Sequence, residues 1–139
     1  MQSKKITSFL WFDTNAEAAV ARYAEIFGDD CKVSGTSFEL FGQRFIAFNG
    51  GSHYKLDDAF SIMVECDDQA EIDRLWAALV EGGAPNRCGW LKDAFGVSWQ
   101  IVPRQLFSLL RHPDSQKAGR VLQAMLQMTK LDIATLEGA

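Results

Sequence analysis

Ile6-Thr7-Ser8-Phe9-Leu10-Trp11-Phe12-Asp13-Thr14-Asn15-Ala16-Glu17 is answered 54 residues later by Phe60-Ser61-Ile62-Met63-Val64-Glu65-Cys66-Asp67-Asp68-Gln69-Ala70-Glu71. The same offset aligns Ala24 with Ala78, Gly28 with Gly82, Gly35 with Gly89, Phe41 with Phe95 and Gly42 with Gly96. The chain therefore repeats one structural unit. Each copy opens on a strand-like run, 6–12 or 60–66. A capping-box pattern follows, Thr14 to Glu17 and Asp68 to Glu71, in which a cap oxygen and a glutamate three residues on satisfy the first helical N–H groups. Apolar residues then recur at helical spacing: Ala19, Tyr23, Ile26 and Phe27, then Ile72, Leu75, Trp76 and Leu79. Gly28 and Gly82 stop the helices. A turn glycine, Gly42 or Gly96, leads into a last strand, 44–48 or 98–102. One or two short strands fit between helix and last strand.

The fold class this predicts is α+β, with two tandem β-α-β-β-β modules and C-terminal helices, in a single domain spanning 1–139. The first module covers about 5–50 and the second about 58–103, with a linker near 49–58 and a helical tail over 104–139. In the tail, 105–110, 115–128 behind an Asp114 cap and a short piece from Asp132 read as helices. Val121, Leu122, Met125, Leu126 and Met128 give it an apolar stripe that suits packing on the body or on a partner subunit.

Composition narrows the function classes. The 139 residues are 47% hydrophobic and 23% charged, enough for a core and too apolar for disorder. A net charge of −4 argues against a nucleic-acid-binding surface. No apolar run approaches the roughly 20 residues of a membrane span. Met1-Gln2-Ser3-Lys4-Lys5 leads straight towards the first strand without an export signal. Cys31, Cys66 and Cys88 are odd in number and widely spaced, which fits reduced thiols and a cytoplasmic location. Cys66 lies in an apolar run, as a core residue would.

Side chains alternate across a strand. Ser8, Leu10 and Phe12, with Ile62, Val64 and Cys66 in the second copy, suit packing under the helices. Thr7, Phe9 and Trp11, with Ser61, Met63 and Glu65, form the other face, extended by Arg44, Ile46 and Phe48 and by Ser98, Gln100 and Val102. Large apolar groups mixed with a few polar ones are what a ligand-cavity wall requires.

Phe9-Leu10-Trp11-Phe12-Asp13, Asn49-Gly50-Gly51, Cys88-Gly89-Trp90-Leu91-Lys92-Asp93 with Phe95-Gly96-Val97-Ser98-Trp99-Gln100, and Met125-Leu126-Gln127-Met128 resemble the PhnB-like branch of the vicinal oxygen chelate (glyoxalase/bleomycin-resistance/dioxygenase) superfamily. The resemblance covers essentially the whole chain and implies a cupped mixed sheet and a homodimer. Many such proteins carry the label of a 3-demethylubiquinone-9 3-methyltransferase domain. The superfamily's enzymes hold a divalent metal in the cup, at positions that correspond here to Thr7, Ile46, Ser61 and Gln100. Ile46 has no donor and the others are weak neutral oxygens, so no metal and no other cofactor is expected. Methyl transfer is not expected either. The strand-to-helix turn Asp13-Thr14-Asn15 lacks the glycines of the common doubly wound S-adenosylmethionine fold, and the chain is too short for it.

Among single residues, Glu65 is the candidate catalytic base, since a carboxylate beside Phe9, Trp11 and Met63 would be desolvated. Its plainer role is a solvated residue at a strand end, or one paired with Arg44. Trp90 is either a stacking lid on the cup or a core residue. His53 follows Asn49-Gly50-Gly51-Ser52, read as a mobile linker rather than an anion-binding nest. His112 suits a helix end. The leading expectation is a protein that holds a small apolar or aromatic molecule in a cup lined by Thr7, Phe9, Trp11, Ile46, Phe48, Ser61, Met63, Trp90 and Gln100. The alternatives are a metal-independent lyase or isomerase using Glu65, and a dimeric scaffold with a self-filled cup. Nucleic acid and membrane are not expected partners.

Overall fold

The alternation that separates Leu10 and Phe12 from Phe9 and Trp11 is the signature of a half-buried strand, and Ser8–Phe12 forms strand β1. The computed structural model describes residues 5–139; the lead-in at Met1, Gln2, Ser3 and Lys4 lies outside the described residues. Helix α1 spans Ala16–Phe27, followed by a short 3-10 turn, Gly28–Asp30. Strands β2 (Cys31–Ser34), β3 (Ser37–Leu40) and β4 (Gln43–Asn49) complete the first module. Its sheet has the order β1-β4-β3-β2, with β1 parallel to β4 and the other pairs antiparallel.

The second copy repeats this plan. Strand β5 (Ser61–Cys66), helix α2 (Gln69–Val80) and strands β6 (Ala84–Pro85), β7 (Trp90–Lys92) and β8 (Ser98–Pro103) follow in order. The sheet order is β5-β8-β7-β6, again with the first strand parallel to the last. Three helices close the chain: α3 (Leu106–Leu110), α4 (Ser115–Leu126) and α5 (Ile133–Gly138). The chain divides into two compact units, the boundary falling between Asp57 and Asp58. Among the described residues no helix is long and apolar enough to cross a membrane.

Each sheet buries the predicted face under its own helix. In the first unit Leu10, Phe12, Phe45 and Ala47 are buried, as are Ala19, Tyr23 and Phe27 of α1. Phe38 and Phe45 stack at 5.1 Å between ring centroids, and Tyr23 meets Phe38 at 5.7 Å. In the second unit Cys66, Trp99 and Ile101 are buried with Ile72, Leu75 and Leu79 of α2. Burial pushes the Cys66 thiol up to about 12, with help from the negative charges of Glu71 and Asp67.

The helix starts differ from expectation in one copy. For α2 the capping box forms: the Asp68 carboxylate accepts from the Glu71 N–H at 2.9 Å, and Glu71 accepts from the Asp67 N–H at 2.7 Å. For α1 no local side chain does this, because Asn15, at the cap position, makes no cap hydrogen bond. Asn49 replaces it from the end of β4. Its Oδ1 accepts from the Ala16 N–H at 2.8 Å, and its Nδ2 donates to Glu17 Oε2 at 3.0 Å. That hydrogen bond holds the Glu17 carboxyl below its ordinary range.

The tail also changes one face assignment. Val102 alternates with Gln100 and was expected on the open wall. It is buried instead, in a cluster with Leu106, Val121, Leu131 and Leu136. The tail is fastened as well as packed. The Cys88 N–H donates to the Met128 carbonyl and the Gly89 N–H to the Thr129 carbonyl, both at 2.8 Å. The Gln69 side chain donates to the Leu131 carbonyl at 3.0 Å and accepts from the Ile133 N–H at 2.8 Å. Asp114 and Asp132 cap α4 and α5, accepting from the N–H groups of Gln116 and Thr135.

Candidate functional site

The open face of the first sheet is aromatic at one end and charged at the other. Parallel pairing sets Phe9 beside Ile46 and Trp11 beside Phe48. Phe9 and Phe48 rings lie 5.3 Å apart, and Trp11 meets Phe48 edge-on at 5.2 Å. Tyr54, from the chain after β4, meets the other side of Trp11 at 5.0 Å, also edge-on. The indole is the partly buried centre of the group, while Phe9, Phe48 and Tyr54 are 57%, 42% and 69% exposed. Exposed aromatic groups of this size in one patch are uncommon on a soluble surface without a function. Farther across the sheet the register aligns Lys32, Glu39 and Arg44 in a row of alternating charge. Thr7 immediately precedes β1 and is half-buried.

Residues 49–51 are not a loose linker. The Gly50 N–H donates to the Phe12 carbonyl at 2.9 Å and the Gly51 N–H to the Asp13 carbonyl at 3.3 Å. The Trp11 indole N–H donates to the Gly51 carbonyl at 2.9 Å. Backbone bonds to β1 and its exit therefore fix this segment over the indole, which corrects the expected mobility of 49–51.

The open face of the second sheet is more polar. Gln100 pairs in register with Met63 on one side and Trp90 on the other, which puts the three on one face. The Gln100 amide N–H donates to the Ser61 hydroxyl at 2.9 Å. The Ser98 hydroxyl donates to Asp58 at 2.6 Å, and Lys92 lies 3.4 Å from the same carboxylate. Those partners hold Asp58 below its ordinary carboxylate range, the Ser98 hydrogen bond contributing most. Met63 is exposed and Trp90 half-buried, so Trp90 lies on the sheet surface and not in the core beneath it. Glu65 is exposed on β5, beside Val102 in register, and its charge is felt by Arg104, which pairs with Asp67. Burial was the condition for Glu65 as a base, and this exposed carboxylate lacks it.

Of the four positions where superfamily enzymes hold a metal, Thr7 and Ile46 belong to the first unit and Ser61 and Gln100 to the second. Ser61 and Gln100 bond to each other, and Ile46 offers no donor, so these residues do not fit a divalent ion. Among the described residues no group of three or more His, Cys, Asp or Glu side chains could hold a metal. His112 Nδ1 accepts from the Asp114 N–H at 3.1 Å, a local turn role. Cys31, Cys66 and Cys88 are free thiols.

Three residues that matter to these faces had no role legible in the sequence, although Asn49 and Asp93 lie within the motifs that carry the resemblance. Asn49 acts across 33 positions on α1, and Tyr54 stands alone in a polar stretch. Asp93 is a charged residue in a turn, yet it is only 5% exposed. Its Oδ1 accepts from the N–H groups of Phe95 at 2.9 Å and Val97 at 3.0 Å, and its Oδ2 from the Trp99 indole at 2.8 Å. It therefore builds the turn that leads into β8, where Ser98, expected on the open wall, is buried at 2% exposure and Gln100 lies on the open face. The sharp segment from Cys88 to Gln100 would have pointed to it, had the aspartate been read with the indole donor six residues on.

Known proteins match this architecture. The family model described as 3-demethylubiquinone-9 3-methyltransferase matches residues 28–102. A Bacillus cereus PhnB protein, described as a candidate 3-demethylubiquinone-9 3-methyltransferase, superposes with a TM-score of 0.62 at 29% identity, over 72% of this chain and 99% of its own. A Pseudomonas aeruginosa protein of known crystal structure superposes with a TM-score of 0.61 at 21% identity, over 73% of this chain and 98% of its own, a likeness of fold. No curated protein matches the sequence significantly. With the repeated module in both units and the family match over more than half its length, the chain belongs to the 3-demethylubiquinone-9 3-methyltransferase family, in its PhnB-like, glyoxalase-fold branch.

Proposed function

We propose that the protein binds a small apolar or aromatic molecule on the open face of its first module, without a catalytic metal. The observation that carries this reading is the ring group itself: Phe9, Phe48 and Tyr54 stand exposed around an indole whose only polar atom is already bonded. Such a surface gains from covering apolar area and from ring-on-ring geometry, and it supplies no group that does covalent chemistry. Within the second module, the more polar face with Ser61, Met63, Trp90 and Gln100 is a separate candidate surface. The Gln100–Ser61 pair supports a role in orienting a polar substituent. The homodimer implied by the PhnB-like resemblance belongs to the same proposal, and sedimentation of the purified chain reads it directly.

Methyl transfer, the activity in the family's name, has little to support it here. The β1-to-α1 turn carries no glycine, and each sheet has four strands with one parallel pair instead of a doubly wound parallel sheet. The proton-transfer alternative rests on Glu65, which stands exposed on β5 and outside the aromatic group.

Titration with the neutral fluorescent probe N-phenyl-1-naphthylamine tests the proposal. Trp11→Ala and Phe48→Ala should each weaken binding by about tenfold, since a stacked ring contributes roughly 1 kcal/mol or more. Glu65→Gln should leave binding unchanged. Wild-type protein that takes up no probe, or variants that bind as wild type does, would sink the reading. Added Zn²⁺ or Ni²⁺ that raises the unfolding temperature only while Ser61 and Gln100 are intact would overturn its metal-free part.

A further inference from the structure

The contact between Trp11 and Gly50 has a consequence for what the aromatic face can hold. A Cβ added to Gly50 would fall 2.1 Å from Cζ2, 2.2 Å from Cε2 and 2.5 Å from Cη2 of the indole, far inside van der Waals contact. The ring therefore lies directly on the Gly50 backbone, in space that only a glycine leaves open. The indole N–H is bonded to the Gly51 carbonyl, so both the position and the in-plane rotation of the ring are fixed. Phe48 and Tyr54 close on it edge-first, at interplanar angles of 65° and 79°. The segment that does this is itself anchored twice. Backbone bonds tie Gly50 and Gly51 to Phe12 and Asp13, and the Asn49 side chain ties the segment to the start of α1.

We infer that Asn49 and Gly50 are positioning residues that set the specificity of this face, by locking the Trp11 indole so that it presents ring surface and no hydrogen-bond donor to a guest. The inference rests on the ligand-binding reading above and deepens it by naming the ligand class. The guest is a flat aromatic compound selected by stacking geometry, and a saturated molecule of the same size and polarity is disfavoured. Asn49 supplies the rigidity and Gly50 the space. A latch of this kind reduces the ordering that binding would otherwise require of the ring.

Gly50→Ala is a clean substitution, because Gly50, unlike Gly51 at φ +90°, is not in the left-handed region. An added methyl group acts through its collision with the indole and not through backbone strain. Competition against N-phenyl-1-naphthylamine would compare 1-naphthol with decahydro-1-naphthol, which share a skeleton and a hydroxyl but differ in flatness. Wild type should prefer 1-naphthol by about tenfold, and Gly50→Ala should narrow that preference to about twofold. In ¹H–¹⁵N spectra the Trp11 indole N–H of Gly50→Ala should shift and exchange with solvent faster. An indole resonance that stays in place, or a preference that survives the substitution, overturns the inference. Wild type that binds neither naphthol overturns the ligand-binding reading instead, while the indole resonance still reports the latch. Should Gly50→Ala not fold, Asn49→Ala read in the same two ways decides. Faster indole exchange with a reduced preference supports the latch, and wild-type behaviour in both overturns it.

Discussion

Asp93 shows how much one side chain can organise. Three donors converge on its carboxylate, two backbone N–H groups and the indole of fully buried Trp99. Asn in its place would keep one oxygen for the backbone but turn an amide N–H towards the indole N–H, leaving two donors face to face. Asp93→Asn should therefore cost about 2 kcal/mol in urea unfolding, the usual size for a lost charge-assisted bond. The same substitution made in Trp99→Phe, where the opposing donor is gone, should cost less; equal costs in both backgrounds would mean the indole bond contributes nothing. Cys66 gives a prediction in pH. Its folded-state pKa, about 12, lies above the 9.0 of an unperturbed thiol, so the folded state holds the proton more tightly than the unfolded chain does. That contribution is fully present below pH 9 and is lost as pH rises towards 12, by roughly 1.4 kcal/mol for each pH unit in that window. Unfolding midpoints of wild type should fall more steeply over that window than those of Cys66→Ala. Parallel curves would show that other groups carry the alkaline loss. Cys66 was legible as a core residue because its neighbours are apolar. Asp93 was not, because nothing in a turn sequence announces that a carboxylate folds inward onto its own backbone.

At the scale of elements, strands and helices were legible wherever a period repeats. Leu10 and Phe12 against Phe9 and Trp11 separate the two faces of β1, and the same alternation returns in β4 and β5, whereas in β8 only Gln100 escapes burial. Helix α2 starts where its own residues say it should. Helix α1 does not, since the atom that satisfies its first N–H belongs to Asn49, at the end of another strand. Short-range patterns cannot show a cap supplied across 33 residues. The two helices should therefore respond differently to the same truncation. Asp68→Ala should lower stability by about 1 kcal/mol, as loss of an N-cap does, while Asn15→Ala should cost well under half of that. Asn49→Ala should cost at least as much as Asp68→Ala, because it removes the cap of α1 and the bond to Glu17 together. Urea midpoints for the three variants check the order, and a costly Asn15→Ala would show that α1 is capped locally after all. The segment 49–51 was misread for a related reason: two glycines suggest freedom, but here they allow backbone to approach an indole.

For the molecule as a whole, the internal repeat was the most legible feature, and the tail breaks it. After β4 the first unit carries a short stretch with Tyr54, whereas after β8 the second unit carries three helices. Their existence could be read from Asp114, Asp132 and the apolar stripe, but not their target, because an amphipathic helix specifies a buried face without specifying what it meets. The target is Val102, the residue that alternation places on the open side of β8, now sealed with Leu106, Val121, Leu131 and Leu136. The aromatic end of the first sheet has no such cover within its own unit, since its counterpart strand leads into Gly50 and Gly51 instead of helices. The same module thus closes part of its open face in one copy, at Val102, and leaves the matching part, at Phe48, exposed in the other. If the tail is a structural plug, its buried contacts must contribute to folding of the second unit. Leu136, fully buried in the cluster, should on truncation to Ala cost about 3 kcal/mol through lost contacts and a cavity. Leu122, exposed on α4, should cost under about 1 kcal/mol when truncated in the same way. Hydrogen exchange locates the damage: β8 amides around Val102 should lose protection in Leu136→Ala and keep it in Leu122→Ala. Unchanged β8 protection in Leu136→Ala would mean that the helices rest on the sheet without stabilising it, and that the asymmetry between the copies has another cause.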